Sequence, residues 1–340
     1  MRARTRHQGD HHGVRGWRTG PALAAAGVAA VGLTGCGSSA AGGSSATGPS
    51  VLATTTVLGD VTAQVAECGG LEVRTLMPVG ADPHDFSPSS ADVSDLVRAD
   101  LVVANGLGLE EGLSAALESA RTDGATILEV APLLDPIPMS DVHEHDGEAE
   151  HPHEETHADE EDHEHGSLDP HVWLDVVRMA TAARLIGDEL AEITGDDALA
   201  ACGDEVGAEL EAVDAEVREI LAAVPTASRV LIADHAAFGY FADAYDFDVP
   251  GAVVPGGSTL AEPSSAELAA LADVIRESGV HAIFANTADT SDLVAALAAE
   301  VGRVDVVELY VGTLGPEGSG AETYAGMMVT NAELVAQALA

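Results

Sequence analysis

The stretch Asp169-Pro170-His171-Val172-Trp173-Leu174-Asp175 separates a tract crowded with histidines and carboxylates from a long amphipathic helical pattern. The proline before His171 and the apolar Val-Trp-Leu after it indicate an imidazole held in a fixed position. Two further histidines have similar surroundings, His84 between prolines at 83 and 88 and His235 at the end of an apolar run that begins at Leu231. Three such positions, far apart in sequence, predict one site that folding assembles.

Neutral imidazole is a preferred ligand of zinc, and three histidines form a strong site whose fourth position is filled by a carboxylate or by water. We therefore predict that His84, His171 and His235 bind a metal ion. A ligand histidine usually donates its second ring N–H to a carboxylate or carbonyl oxygen. The candidate acceptors are Asp85, Asp169, Asp175 and Asp234.

On both sides of this stretch, short apolar strands alternate with helical patterns, which predicts an α/β fold with mostly parallel sheets. Residues 51–195 form a first lobe with strands near 51–55, 71–77, 101–105 and 125–130, and with a helix near 110–121 between the last two. Residues 226–340 repeat this outline, with strands near 229–233, 247–254, 281–285 and 304–309. Between the lobes, residues 196–225 contain a helix of ~27 residues, about 40 Å long. We predict that it is a rigid spine joining two lobes.

Residues 1–35 have the features of a bacterial secretory signal: five arginines followed by a short apolar run. The run is too short for a permanent membrane span. Leu33-Thr34-Gly35-Cys36 resembles a lipobox, so we expect lipidation at Cys36; the alternative is an ordinary signal with a chance cysteine. Residues 36–50 are rich in glycine, serine and alanine and predict a flexible tether. The expected location is the extracytoplasmic face of the cell membrane.

Residues 138–168 interrupt the alternating pattern and lack apolar periodicity, which predicts a disordered loop. Half of the chain's 14 histidines lie here among many carboxylates. We interpret the segment as an accessory metal collector, with a solvated acidic insertion as the alternative. Its histidines are His143, His145, His151, His153, His157, His163 and His165.

The chain carries a formal net charge of −43 and contains no lysine. Such a charge excludes nucleic acid as a partner, because phosphate binding needs basic patches. It raises the concentration of cations around the protein. The alternative explanation is that acidic surfaces are common to the proteins of the source organism. Cys68 and Cys202 are the cysteines besides Cys36. A disulfide between them and two free thiols are equally compatible with the sequence.

From Val51 to Ala340 the chain resembles the solute-binding proteins of zinc and manganese ABC importers. Four stretches carry the resemblance: 75–86, 105–110, 169–175 and 235–241. Residues 315–324 look most similar to the zinc-specific type termed AztC. The resemblance implies two lobes on a rigid spine helix, a metal ion in the cleft between them, and docking onto the permease of an importer driven by ATPase subunits. We expect a monomer.

Carried over by motif, His84, His171 and His235 match the family's three histidine positions. The third is commonly histidine in zinc receptors and glutamate in manganese receptors, so His235 favours Zn²⁺ over Mn²⁺. The fourth position, usually Asp or Glu, is Gly312 in this chain. Water, a histidine or acid from residues 143–165, or a shifted Glu308 are the alternatives for it. We expect more exchangeable zinc than in relatives with four protein ligands.

The leading hypothesis is thus a zinc receptor of an ABC importer, and not an enzyme. A manganese or iron receptor of the same family is the nearest alternative, disfavoured by the scarcity of oxygen ligands. A zinc hydrolase would also use three histidines and an open position. Its helical His-Glu-x-x-His motif has one match in the chain, at residues 153–157, but that match falls in the segment predicted to be disordered and not on a helix. A metal-buffering adhesin-type lipoprotein without a permease is the remaining alternative.

Overall fold

The computed structural model describes residues 48–139, 168–254, 256–288, 292–302 and 304–340. Within the unit that runs from Ala46 to Ala340, these residues form two four-stranded parallel sheets. The first contains β1 (Val51–Ala53), β2 (Val73–Thr75), β3 (Leu101–Ala104) and β4 (Thr126–Glu129), in the order β2-β1-β3-β4. The second contains β5 (Val230–His235), β6 (Asp248–Val254), β7 (Ala282–Asn286) and β8 (Asp305–Leu309), in the order β6-β5-β7-β8.

Helices flank both sheets. They are α1 (Thr56–Glu67), α2 (Ser90–Arg98), α3 (Ser114–Thr122), α4 (Val176–Thr194), α5 (Ala198–Leu221), α6 (Gly239–Tyr245), α7 (Ser265–Ser278), α8 (Asp292–Val301) and α9 (Tyr324–Leu339). Several begin at capping residues that the sequence provides. Ser89 and Ser264 start α2 and α7 with capping boxes, and Thr55 accepts a hydrogen bond from the N–H of Leu58 at the start of α1. The predicted two-lobed α/β fold is confirmed.

The two sheets share one topology, which determines where a ligand can bind. In each, the first strand of the lobe is paired on both sides, because the second and third strands lie on opposite sides of it. Open parallel sheets bind ligands outside the carboxyl ends of their strands at such a switch point. His235 is the last residue of β5, which pairs with both β6 and β7. Sheet topology therefore explains why His235 reaches a ligand position.

The long helices α4 and α5 approach each other closely at Gly187 and Gly203. A Cβ atom added at Gly187 would lie 2.8 Å from the Cα of Gly203, so larger residues there would push the helices apart. The 24 residues of α5 make a helix about 36 Å long, slightly shorter than expected. It contacts α1 and α9 as well as α4. A disulfide joins Cys202 on α5 to Cys68 at the end of α1.

The helix expected near 110–121 begins later than predicted. Glu110 has a non-helical backbone, and a short 3-10 turn at Glu111–Leu113 precedes α3. The Glu110 carboxylate accepts hydrogen bonds from the N–H groups of Asn105 and Gly106 in the preceding loop. These bonds hold the backbone of Glu110 outside the helix. The flanks of the histidine-rich segment also differ from expectation, because Pro138 pairs with Leu168 in an antiparallel bridge.

Several expectations concern residues that the structure does not describe. The signal at 1–35, lipidation at Cys36 and most of the tether at 36–50 lie outside the described residues, as do the seven histidines between 143 and 165. Within the described ranges, the longest apolar helical stretch falls short of what a membrane crossing requires.

Candidate metal centre

Three imidazoles converge between the two lobes. His84 lies in the loop after β2, His171 precedes the 3-10 turn Val172–Leu174 that leads into α4, and His235 ends β5. Their exposed fractions are 6%, 0% and 2%. One ring nitrogen from each lies within 4.8 Å of the other two. Among the described residues, the group of ligand atoms that meets this spacing consists of these three side chains.

The spacing of the nitrogens is compatible with direct coordination. The Nε2 atoms of His84 and His171 are 3.3 Å apart. Two nitrogens bound at ~2.0–2.1 Å to a tetrahedral zinc ion lie about 3.3–3.4 Å apart. Ring centroids are separated by 5.4 Å for His84 and His171, 5.9 Å for His84 and His235, and 5.2 Å for His171 and His235. The rings therefore face a common point without a large rearrangement.

Buried carboxylates orient two of the three rings. Asp169 Oδ1 accepts the backbone N–H of His171 at 2.9 Å and lies 2.8 Å from its Nδ1. Asp234 Oδ1 holds His235 in the same way, with both distances at 2.8 Å. A carboxylate on Nδ1 fixes the tautomer that presents Nε2 to a metal ion. Of the four predicted acceptors, Asp169 and Asp234 thus contact an imidazole.

The other two predicted acceptors, Asp175 and Asp85, do not contact an imidazole among the described residues. Asp175 Oδ1 caps α4 by accepting the N–H groups of Val177 and Arg178, and its Oδ2 pairs with the Arg178 guanidinium. Both of its oxygens are therefore occupied by the helix start. Asp85 is exposed, and no hydrogen bond to an imidazole is found for it within the described part of the chain. Instead, Asp82 contacts the His84 loop, with its Oδ1 accepting the His84 N–H at 3.0 Å.

The surroundings give the three imidazoles different proton affinities. Burial, together with the neighbouring His171 and His235, lowers the pKa of His84 to about 2. Burial also lowers the pKa of His171, although Asp169 opposes the shift. For His235, burial acts in the same direction, but the charge and hydrogen bond of Asp234 outweigh it and its pKa is raised. His84 and His171 are therefore neutral at ordinary pH, the form in which imidazole binds metal.

A buried carboxylate supports the His171 loop from the first lobe. The Glu110 carboxylate accepts hydrogen bonds from the Thr54 hydroxyl and from the N–H groups of Asn105 and Gly106. The Asn105 amide in turn donates to the carbonyl of Pro170 at 2.9 Å. Burial raises the pKa of Glu110 against the effect of these donors. The motif from Asn105 to Glu110 thus positions the residue immediately before His171.

Hydrogen bonds from the second lobe fasten the same loop. The Tyr240 hydroxyl accepts the N–H of Ile137 and donates to the carbonyl of Asp169 at 2.8 Å. The Trp173 indole N–H donates to the carbonyl of Val311, and its ring centroid is 5.3 Å from that of His171. None of these partners was predicted from sequence. The sequence feature that could have indicated them is the clustering of aromatic residues beside His171 and His235.

The fourth position of the resembling family falls at a crowded backbone. A Cβ atom added at Gly312 would lie 2.9 Å from Pro83 Cδ and 3.4 Å from Asn286 Nδ2. Glu308, considered as a substitute ligand, is exposed on β8 and does not join the three histidines. Of the alternatives for the fourth position, Glu308 is therefore excluded, because its strand presents it to solvent.

Comparisons with known proteins agree with this architecture. The family profile described as "Zinc-uptake complex component A periplasmic" matches residues 51–338. The chain is 28% identical over 286 residues to the manganese-binding lipoprotein MntA of Halalkalibacterium halodurans, covering 83% of this chain and 86% of that protein. It is 29% identical over 297 residues to the zinc-binding protein TroA of Treponema pallidum, covering 85% of this chain and 88% of that protein.

Solved structures give the same result. The periplasmic zinc-binding protein TroA of Treponema pallidum superimposes with a TM-score of 0.71 at 28% identity, covering 86% of this chain and 99% of TroA. The relatives named here include both zinc-binding and manganese-binding proteins, so the comparisons leave the ion open. With its two parallel-sheet lobes and three converging histidines, the chain belongs to the family of the periplasmic zinc-uptake complex component A.

Proposed function

We propose that this protein is the zinc receptor of an ABC importer, binding Zn²⁺ between its lobes through His84, His171 and His235 and delivering it to the membrane permease and its ATPase. The observation that carries the proposal is the convergence of three buried imidazoles, two of them 3.3 Å apart at Nε2. The predicted similarity of residues 315–324 to the AztC type also favours zinc. The protein acts by binding and release and performs no chemical step.

We assign the fourth coordination position to water. Gly312 offers no ligand atom, and the Pro83 ring lies where its side chain would extend. A water ligand makes the bound ion easier to exchange than closure by a fourth protein group. Substitution with Co²⁺ tests the assignment. Azide should perturb the visible spectrum by displacing water, whereas an unchanged spectrum would indicate a fourth protein ligand.

Zinc titration of the purified protein and of single histidine variants tests the proposal directly. His84→Ala, His171→Ala and His235→Ala should each weaken zinc binding by more than the 10–100-fold typical of losing an outer hydrogen-bond partner. His281→Ala is the matched control, because His281 is exposed at the start of β7 and far from the carboxyl end of that strand. Equal affinity in all four variants would refute the assignment.

A manganese receptor is the second candidate, favoured by the similarity to manganese-binding MntA. The ligand chemistry disfavours it, since Mn²⁺ prefers carboxylate, carbonyl and water oxygens. Competition between Zn²⁺ and Mn²⁺ for the purified protein separates the two. Displacement of bound zinc by stoichiometric manganese would establish the second candidate.

We also propose that the protein is held at the extracytoplasmic face of the membrane by lipid on Cys36. The lipobox-like stretch before Cys36 supports this, as do relatives that are named lipoproteins. A Cys36→Ala variant should lose the lipid and appear in the soluble fraction after cell lysis. Retention of that variant in the membrane fraction would contradict the anchor.

A further inference from the structure

The three histidines differ in how their second ring nitrogen is held. Nδ1 of His171 and of His235 each lies 2.8 Å from a buried carboxylate. For His84, no hydrogen-bond partner of Nδ1 is found among the residues that the structure describes, although the side chain is only 6% exposed. Its backbone N–H is held by Asp82, but its ring is not. His84 is therefore the imidazole that can move without breaking a bond to a carboxylate.

The His84 side chain also lines a cavity of about 180 Å³. Asp85, Ser87 and Glu111 contribute polar groups to its lining, and Leu260 of the second lobe also lines it. At about 30 Å³ per water molecule, the cavity has room for several waters. Asp85 and Glu111 are exposed and form no ion pair with a cationic side chain of the described residues. The cavity thus joins solvent to His84 and bears two free negative charges.

We propose that this cavity is the route by which the divalent cation enters and leaves, with Asp85 and Glu111 concentrating the hydrated ion and His84 the first imidazole to bind it. The inference rests on the proposed function and adds its loading route. Acidic walls raise the local concentration of a cation and accelerate its association. His171 and His235, held by carboxylates deeper in the protein, then complete the site.

The rate of zinc association tests this route. Trp173, whose ring centroid is 5.3 Å from that of His171, provides a fluorescence signal for stopped-flow mixing with zinc. We compare Asp85→Asn/Glu111→Gln with Asp188→Asn/Glu209→Gln, which removes the same two charges from exposed positions on α4 and α5. The first pair should slow association about 3–10-fold at low ionic strength, and the difference should shrink as salt screens the charges.

The comparison separates the cavity from the general field of a strongly acidic protein. Both variants should still take up zinc at equilibrium, because neither removes a proposed ligand. Equal slowing of the two pairs would overturn the route, since the effect would then come from net charge. An unchanged rate in Asp85→Asn/Glu111→Gln would also overturn it. Failure of the unmodified protein to take up zinc at equilibrium would instead overturn the proposed function, and the route with it.

Discussion

Replacing Asp169 by asparagine removes a charge that the structure places directly behind a proposed metal ligand. Asp169 Oδ1 lies 2.8 Å from His171 Nδ1 and 2.9 Å from its backbone nitrogen, and the carboxyl side chain is 2% exposed. Asparagine has the same shape, and its carbonyl oxygen can accept the same two donors. The variant therefore keeps the loop while it loses the negative charge that stabilises an imidazole bound to a cation.

The expected loss follows from the difference between two kinds of hydrogen bond. A bond to a charged group contributes about 1.5–3 kcal/mol and a neutral one about 0.5–1.5 kcal/mol. The difference is about 1–1.5 kcal/mol, which corresponds to about 5–12-fold weaker zinc affinity, near the lower end of the range for outer partners of metal ligands. Competition with a chromophoric zinc chelator measures the change. Urea unfolding of the metal-free proteins checks that stability is retained.

Asp188→Asn serves as the control, because Asp188 is exposed on α4 and its loss changes the net charge by the same amount. Its zinc affinity should match that of the unmodified protein. If Asp169→Asn also binds zinc within about threefold of the unmodified protein, the carboxylate contributes nothing to affinity beyond its hydrogen bonds. If both variants weaken equally, the effect belongs to net charge and the local argument fails.

Three further predictions concern the supports of the site. Tyr240→Phe should lower the free energy of unfolding by about 1–3 kcal/mol, because it removes the hydroxyl that bonds both Ile137 and Asp169; an unchanged urea midpoint would contradict this. The pKa of Glu110 is raised in the folded protein, so its stabilising contribution is present below its unfolded pKa and is lost as pH rises through the folded value. The unmodified protein should therefore gain stability relative to Glu110→Gln on acidification from pH 8 to pH 5, and a pH-independent difference in unfolding would sink the argument. Deleting residues 141–166 should slow zinc loading from dilute solution, and unchanged loading rate and affinity would refute the accessory role of that segment.

Much of the fold was predictable because the sequence is locally consistent. Short apolar runs separated by helical patterns predicted the parallel sheets, and the capping residues at Ser89 and Ser264 mark two helix starts. The start of α3 was misplaced, because a side chain there has a distant partner. Glu110 leaves the helical path to bond Thr54, which is 56 residues earlier in the chain. Sequence periodicity carries no information about such a contact.

The same limit applies to the site. The three histidines were predictable because each stands at a junction between elements, with proline or a strand end beside it. The groups that orient them were only partly predictable, because sequence proximity suggested Asp175 and Asp85 as readily as Asp169 and Asp234. The hydrogen bonds at the start of α4 distinguish them. Asp175 is the N-cap of that helix, and both of its carboxylate oxygens accept hydrogen bonds from the first turn. A carboxylate beside a helix start is more often a cap than a partner of imidazole.

The choice between zinc and manganese depends on how much room the site leaves for oxygen. Manganese favours octahedral coordination with oxygen ligands, so three imidazoles would have to be joined by about three water or carboxylate oxygens. His171 is fully buried, and the backbone at Gly312 lies against Pro83, so a side chain added there would meet that ring at 2.9 Å. A tetrahedral ion needs one additional ligand and fits the 3.3 Å separation of the two Nε2 atoms. Selectivity for zinc would then arise from restricted space on the side of Gly312, and one of the several waters that fit the cavity beside His84 would complete the shell.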